Sequence, residues 1–147
     1  MGVRRIRSWA IVFVVLFVAL SVLQCTAKRQ IVKEDDETVL RRRVQEYWSL
    51  KIKGDLDKCY EFEVPPYREK VNVVDYLRSQ GRVLRWTDAE VRGIEMDGTD
   101  KAKVEGFIKF RYQIPQFRID KGESSVSEMW VKVKGKWYHV PSGFAYQ

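Results

Sequence analysis

The sequence predicts an α+β domain in which three helices precede an antiparallel sheet of about four strands. Between residues 36 and 80, apolar side chains recur every three or four positions, as on one face of a helix. From residue 82 onward, apolar and charged side chains alternate, as in a strand with one buried face. Helices followed by strands form two layers, with the helices packed on one face of a curved sheet.

The first helix is expected over residues 36–53. Its apolar positions are spaced by four, three and one residues, which places them on one helix face. They are Leu40, Val44, Tyr47 and Trp48. Gly54 follows the last helical position and is expected to end the helix in a left-handed conformation.

Two shorter helices are expected next. Asp55 is placed to cap a helix over residues 56–62, in which Leu56, Cys59 and Tyr60 share a face. The pair at 65–66 is Pro-Pro, which breaks the helical run because proline donates no backbone hydrogen bond. A third helix is then expected over residues 67–80, where Gly81 supplies the end.

Four strands are expected after residue 82. The clearest is 101–114, in which apolar or small residues alternate with mostly charged ones. Asp97-Gly98 is a hairpin signal that joins it to a strand over about 83–96. Strands over 124–133 and 137–140 are joined by a turn at Lys134-Gly135. These signals predict an antiparallel meander.

Residues 1–25 have the arrangement of an export signal. Arg4, Arg5 and Arg7 precede an uncharged stretch over residues 9–24, and Cys25 follows it. A basic start and an apolar core direct the chain that follows across a membrane. The predicted location is therefore the bacterial cell envelope, with the domain anchored and facing the periplasm or the exterior.

The form of the anchor has three alternatives. Residues 22–25 resemble a bacterial lipobox, in which the cysteine is acylated and becomes the new amino terminus, although Gln24 stands where a small residue is usual. Lipidation of Cys25 is favoured. An uncleaved helix over residues 8–27 is just long enough to span a membrane, and simple secretion is the third alternative.

The sequence divides into an anchor, a tether and one domain. Residues 1–24 form the signal peptide or membrane anchor, residues 25–35 a polar tether, and residues 36–147 a domain long enough to bury one core. If Cys25 carries lipid, Cys59 is expected to be a buried thiol. If Cys25 stays free, a disulfide between the two is the alternative.

The charge of the chain after the anchor is modest. The full chain carries 27 basic and 20 acidic residues, a net charge of +7. Without Arg4, Arg5 and Arg7 the basic residues number 24 against 20 acidic ones, a net charge of +4. The basic residues are mostly dispersed, which argues against nucleic-acid binding. Contact with anionic lipid headgroups beside the anchor is more compatible with this charge.

Two sequence runs resemble the nuclear transport factor 2-like superfamily. In residues 47–62, YWSLKIKGDLDKCYEF, a helix closes with Gly-Asp and a second helix ends in an aromatic residue. In residues 135–140, GKWYHV, the last strand carries Gly-x-Trp. The resemblance covers residues 36–144. It implies a cone-shaped cavity between helices and sheet, and frequent dimers through the outer sheet face, but it leaves function open.

Aromatic side chains are the main candidates for a ligand site. The chain has seven Phe, seven Tyr and five Trp residues, a high number for its length. Their flat faces suit a small apolar ligand in the implied cavity, and their hydroxyl groups would orient it. The candidate cavity residues are Tyr47, Trp48, Tyr60, Tyr76, Trp86, Tyr112 and His139.

Candidates for catalysis and metal binding are sparse. His139 is the one histidine in the sequence. The acids nearest the expected cavity form no recognisable pair; they are Asp57, Asp75, Asp88 and Glu128. Acid–base catalysis needs groups matched to neutral pH, so no catalytic residue is assigned. One histidine and two distant cysteines make no metal site, and no cofactor is expected.

The direction in which His139 points depends on the last hairpin turn. With a two-residue turn at 134–135, Tyr138 shares the face of Met129; with a longer turn, His139 does, because a one-residue slip exchanges the faces. The residues leave both alternatives open. The resemblance favours Trp137 inward, and with it His139 near the cavity mouth.

The outer sheet face is the candidate partner surface. Phe107 and Trp130 interrupt the charged pattern expected there, which suggests contact with a second copy or with another envelope protein. The function predicted is non-enzymatic binding of a small apolar ligand by an envelope-anchored domain. One alternative is an assembly scaffold acting through the sheet face, similar to the inner-membrane scaffold of type IV secretion systems. The second is an isomerase or dehydratase that uses the cavity.

Overall fold

A computed structural model describes residues 34–81, 83–113 and 121–146. Within these residues, helices precede one antiparallel sheet of four strands in the order β1-β2-β3-β4. The helices are α1 (Asp36–Lys53), α2 (Leu56–Tyr60), α3 (Pro65–Lys70) and α4 (Val73–Ser79). The strands are β1 (Leu84–Asp97), β2 (Lys101–Tyr112), β3 (Lys121–Val133) and β4 (Lys136–Val140). The predicted α+β class is confirmed.

The anchor and most of the tether lie outside the described residues, and with them Cys25. In the part of the chain that the structure describes, no helix combines the length and apolar character needed to cross a membrane.

α1 has the bounds that the sequence predicts. At its start, the Asp35 side chain accepts a hydrogen bond from the backbone N–H of Thr38 at 2.9 Å, which satisfies a donor that the helix itself leaves free. At its end, Gly54 adopts φ 85°, and its N–H donates to the carbonyl of Leu50 at 3.0 Å. Glycine suits this position because it carries no Cβ to clash in the left-handed region.

The expected third helix is divided into α3 and α4. Val71 is extended, and the Asn72 side chain accepts a hydrogen bond from the backbone N–H of Asp75 at 3.0 Å, which starts a new helix. The two prolines at 65–66 occupy the first turn of α3, where a missing N–H does no harm. The prediction of three helices is therefore wrong, because the Asn72 side chain caps a new helix inside the periodic segment.

A second helix start also differs from the prediction. Asp55 makes no capping hydrogen bond to α2. Its carboxylate instead pairs with the amine of Lys58 at 2.9 Å. The chain still turns there, because the α1 terminator Gly54 fixes the preceding backbone.

The last hairpin has a two-residue turn. Lys134 and Gly135 have φ of 50° and 81°, and Val133 pairs directly with Lys136 across the turn. Positive φ at both central residues is the geometry of the tight hairpin turn that matches strand twist. This register places Tyr138 opposite Val131 and brings Trp130 and His139 together as a cross-strand pair.

The inner face of the sheet, which we define by Ala102, Val104, Ile108, Trp130 and Trp137, packs on α1. Trp130 is 0% exposed, and it pairs with Ala102 of β2, which fixes it on this face. The prediction that Trp130 lies on the outer face is wrong, because Trp130 lies on the face of β3 that packs on α1 and Val131 lies on the opposite face. His139 also points inward, although the turn is the short one.

The outer face of β3 and β4 is covered by the chain itself. Val131 and Val140 are buried there with Val64, and the half-buried rings packed around them come from β4, α3 and the last residues of the chain. These rings are Tyr67, Tyr138, Phe144 and Tyr146. A second small core thus closes much of this half of the outer face and leaves Met129 of β3 exposed.

Candidate functional site

A cavity of about 740 Å³ is lined by α1, α4 and the inner face of the sheet, and at one edge by Tyr67 and residues 140–144, which also border the small outer core. Aromatic rings form much of its wall, and four of its side chains are ionisable. The aromatic residues are Tyr47, Trp48, Tyr67, Tyr76, Trp86 and Phe144, and the ionisable ones are Lys51, Glu63, Glu128 and His139. A largely aromatic cleft with a few convergent polar groups is the usual form of a small-molecule site.

A buried carboxylate and a buried imidazole form the centre of the polar wall. Glu63 Oε2 lies 2.7 Å from His139 Nδ1. Glu63 Oε1 accepts hydrogen bonds from the hydroxyls of Tyr47 at 3.2 Å and Tyr76 at 3.1 Å. Three donors therefore converge on one carboxylate that is 1% exposed, which offsets the loss of water around its charge.

The backbone brings Glu63 to this position. Residues 62–64 run parallel to β4, and Glu63 forms an isolated bridge with His139. The N–H of Val64 donates to the carbonyl of His139 at 2.9 Å, and the N–H of His139 donates to the carbonyl of Phe62 at 2.8 Å. Because the bridge pairs the two residues side by side, Glu63 and His139 point to the same face.

The contacts of Glu63 fix the orientation of the imidazole. With the carboxylate at Nδ1, we assign the proton of the neutral ring to that nitrogen, and Nε2 is left facing Glu128. Glu128 Oε1 lies 3.9 Å from His139 Nε2, beyond hydrogen-bond distance. The His139 ring also stacks on Tyr47, with ring centres 4.9 Å apart.

Glu128 is held by two indoles. Its Oε2 accepts hydrogen bonds from Nε1 of Trp48 and Nε1 of Trp130, each at 3.3 Å. The other oxygen, Oε1, is the one directed toward His139. The two carboxylates on either side of the imidazole are thus each fixed by donors from the core, and the atoms His139 Nε2 and Glu128 Oε1 face each other across a gap.

Burial sets the protonation of the groups around this centre. It raises the pKa of Tyr47 and of Tyr76, and the negative charge of Glu63 raises both further. Burial also raises the pKa of the Cys59 thiol to about 12. These hydroxyls and the thiol are therefore neutral at ordinary pH. The tyrosines act as hydrogen-bond donors to Glu63, and Cys59 is an unreactive member of the core.

The structure brings together four of the predicted cavity residues besides Tyr47, and leaves two out. Trp48, Tyr76, Trp86 and His139 line the cavity. Tyr60 is half-buried beside Tyr76, and its hydroxyl donates to the carbonyls of Arg68 at 3.1 Å and Val71 at 2.8 Å. Tyr60 therefore closes the end of α3 rather than facing the cavity.

Tyr112 also lies outside the cavity wall. It stands at the end of β2, where its ring packs edge-on against Phe110 with centres 5.5 Å apart. The alternation along β2 is correct, but the ring of Tyr112 contacts Phe110 and is not part of the cavity wall.

Phe107 is on the outer face, as predicted. The guanidinium of Arg92 lies 3.9 Å from the centre of its ring and covers it in part. Of the predicted acids, only Glu128 lines the cavity; Asp57, Asp75 and Asp88 are exposed.

Sequence reasoning missed Glu63 and Lys51. Glu63 stands between Phe62 and Val64, two residues after Glu61, so an acid with an apolar residue on each side was the one local signal of a buried carboxylate. Lys51 lies three residues after Trp48, on the helix face that the apolar residues define, where a charged residue is unexpected. Both signals are local breaks in a pattern otherwise interpreted as core.

Comparisons with known proteins give a likeness of fold alone. No protein-family model and no curated protein matches the chain. A SEC-C motif containing protein from Rhodopseudomonas palustris matches with TM-score 0.51 and 23% identity over 72% of this chain and 75% of that one. A sec-c motif containing protein from Psychrobacter arcticus has TM-score 0.46, with 15% identity over 76% and 61% of the chains. A putative NTF2-like transpeptidase from Campylobacter jejuni has TM-score 0.36, with 14% identity over 74% and 100%.

Proposed function

We propose that this domain binds a small, flat organic molecule with a hydroxyl or amine group, without transforming it. The observation that carries the proposal is the gap of 3.9 Å between His139 Nε2 and Glu128 Oε1. Both atoms are hydrogen-bond acceptors, so a ligand hydroxyl placed beside the gap would donate to one of them, and a ligand amine could donate to both. Hydrogen bonds to neighbouring residues already hold His139 and Glu128 in place, so these two side chains lose little conformational freedom when a ligand binds.

The aromatic wall supports the same kind of ligand. Trp48 and Trp86 meet edge to face, with ring centres 5.6 Å apart, and both line the cavity. Such rings offer flat apolar surface that loses little entropy on binding, because each has only two side-chain torsions. A ring-containing ligand would lie against these faces with its polar group at the His139 and Glu128 end.

Native mass spectrometry of the full-length chain tests this proposal. We expect a small-molecule adduct to co-purify with the wild type, to be lost in Trp86→Ala and to be kept in Phe107→Ala. The two variants are matched, since each removes one half-buried aromatic ring, from the cavity wall and from the outer face respectively. Bare protein in all three samples, and no saturable quenching of tryptophan fluorescence by small phenols, would contradict the proposal.

A second candidate function is acid–base catalysis on the bound molecule. It is favoured by the distance of 2.7 Å between Glu63 and His139, because a buried carboxylate that orients an imidazole leaves the other ring nitrogen ready to move a proton. The test compares the wild type with His139→Gln for deuterium exchange into the eluted ligand, and for its dehydration. Equal rates in both proteins would argue against catalysis by His139 and would support binding without catalysis.

We further propose that the domain is nuclear transport factor 2-like and anchored in a bacterial envelope through lipid on Cys25. Support comes from the basic start, the apolar stretch and the position of Cys25 in the sequence. Metabolic labelling with an alkyne-bearing palmitate tests the anchor: label in the wild type and none in Cys25→Ser is expected. A protein that keeps residues 1–24 and takes up no label would favour the retained helix.

The scaffold alternative would use the part of the outer face that the chain leaves open. That part includes Phe107 and the exposed Met129, whereas Trp130 is withdrawn into the core. A species of twice the monomer mass that reverts to monomer in Phe107→Asp would favour this alternative.

A further inference from the structure

Lys51 stands at a position of α1 where the fold calls for an apolar residue. It follows Val44, Tyr47 and Trp48 on the helix face that packs toward the sheet, and it lines the cavity of about 740 Å³. It also lines a neighbouring cleft of about 370 Å³, which shares Trp86 with the larger cavity. A lysine on a core-facing stripe places an amine inside the proposed binding cavity.

Aromatic faces surround this amine. Lys51 Nζ lies 4.7 Å from the ring centre of Tyr47, 4.9 Å from that of Trp48 and 6.0 Å from that of Trp86. Ring faces attract a cation but accept no proton and form no directed bond to nitrogen. The amine is therefore enclosed by groups that leave its nitrogen available to a ligand.

Three lysines of the domain form close ion pairs, unlike Lys51. The amines of Lys58, Lys103 and Lys132 each have a carboxylate oxygen within 3 Å, at 2.9, 2.7 and 2.6 Å. Among the described residues, Lys51 has no carboxylate within ion-pair distance and no hydrogen-bond acceptor. An ion pair therefore does not explain why a lysine stands at this position in the cavity.

Burial makes the neutral amine of Lys51 easier to form than that of an exposed lysine. Burial lowers the pKa of Lys51, while the carboxylates of Glu128 and Glu63 act in the opposite direction without cancelling it. A neutral amine has a free electron pair and is a nucleophile, whereas an ammonium group is not.

We propose that Lys51 forms a reversible imine with the carbonyl group of an aromatic aldehyde or ketone bound in the cavity. This inference rests on the proposed ligand-binding function and adds the chemical class of the ligand. The amine nitrogen bonds to the carbonyl carbon, and the electron pair of the C=O double bond moves to oxygen. The oxygen then leaves as water together with the two amine protons, so that one amine and one carbonyl give one imine and one water. Water added to the imine reverses the reaction.

Reductive trapping tests the inference on the full-length protein. The probe is 4-hydroxybenzaldehyde with sodium cyanoborohydride near neutral pH, which converts an imine into a stable secondary amine. Tandem mass spectrometry then compares Lys51 with Lys53, an exposed lysine two residues further along the same helix. We expect Lys51 to carry about tenfold more label than Lys53 or more, because binding in the cavity raises the local concentration and the amine is more often neutral.

Two charge-preserving variants serve as matched controls. Lys51→Arg keeps the positive charge but forms no imine, and we expect it to lose the label above the Lys53 background. Lys53→Arg changes the exposed neighbour, and we expect it to keep the Lys51 label unchanged. Label spread evenly over the lysines, or an unchanged total in Lys51→Arg, would overturn the inference.

A probe without a carbonyl separates this inference from the proposed function. Saturable binding of 4-methylphenol to the wild type, seen as tryptophan quenching, would support the cavity. If that binding occurs but Lys51 carries no more label than Lys53, the imine is overturned and the cavity stands. If neither probe binds saturably, both proposals are overturned.

Discussion

Two polar contacts of the same length, each with a carboxylate, lie on opposite faces of this sheet in different surroundings. Glu63 and His139 approach to 2.7 Å on the inner face, and Lys103 and Glu105 approach to 2.7 Å on the outer face. The side chains of Glu63 and His139 are 1% and 11% exposed, whereas those of Lys103 and Glu105 are 58% and 46% exposed. Water screens and replaces the outer contact, but it has little access to the inner one.

The comparison shows that the length of a polar contact does not indicate how much the contact stabilises the fold. Removing one member of an exposed pair leaves the other to be solvated by water. Removing Glu63 leaves the His139 imidazole and two tyrosine hydroxyls without their common acceptor. The cost of breaking the buried contact therefore comes mainly from polar groups that stay buried without a hydrogen-bond partner.

The largest expected effect comes from Glu63→Ala. We expect the free energy of unfolding to fall by about 3–5 kcal/mol, because a buried polar network loses its acceptor. The control is Glu105→Ala, which removes the carboxylate of the outer pair and is expected to leave the denaturation midpoint unchanged. Urea unfolding followed by tryptophan fluorescence measures both. Equal losses in the two variants would contradict the comparison.

Alkaline pH is expected to lower the free energy of unfolding through groups that are buried in the core. In the unfolded chain, the Cys59 thiol ionises near its ordinary pKa of 9.0, whereas in the folded chain burial raises that pKa to about 12. Between these values the unfolded state binds fewer protons, so the stabilisation is fully present below pH 9 and is lost as the pH rises toward 12. Tyr47 and Tyr76 act with the same sign, and Lys51, whose pKa is lowered, acts with the opposite sign.

Cys59→Ala checks this pH dependence. The decrease of unfolding free energy above pH 9 should be less steep in this variant than in the wild type, while the curves run parallel below pH 9. Urea midpoints measured across the pH range give both slopes. Identical slopes above pH 9 would show that the thiol does not contribute.

The smallest expected effect is on the outer face. Arg92→Ala removes the guanidinium that lies 3.9 Å from the Phe107 ring, and we expect it to lower stability by about 0.5–1 kcal/mol, as for an exposed cation–π contact. Arg111→Ala, at another exposed position of the sheet, is the control and should cause no measurable change. A loss in Arg92→Ala as large as that in Glu63→Ala would remove the distinction between the two faces.

Local patterns predicted most of the secondary structure. The helix at 36–53 follows from spacing and from the glycine that ends it, and the turn at Lys134-Gly135 from two residues that tolerate positive φ. The division between α3 and α4 was missed because hydrophobic spacing continued across Asn72, whose side chain caps a new helix. Capping competes with periodicity within a single turn, so a short break is hard to see in the spacing alone.

The candidate site was predicted only in part. Aromatic residues on the helix face and His139 were identified, because periodicity and residue type mark them. Glu63 was not identified, since its role depends on a parallel bridge to β4, a contact between residues 76 positions apart in the sequence. Trp130 was assigned to the wrong face, because alternation distinguishes two faces of a strand without saying which one meets the helices.

The sequence by itself determined the order of helices and strands, most of their bounds, the hairpin turns and the stock of aromatic side chains. These depend on neighbours within a few residues, where spacing, caps and turn geometry act. Only the tertiary structure decided that Glu63, His139 and Glu128 meet on one wall and that Lys51 lies among three aromatic rings. Such meetings depend on strand register and on long-range pairing, where a shift of one residue turns a side chain from the cavity to the solvent.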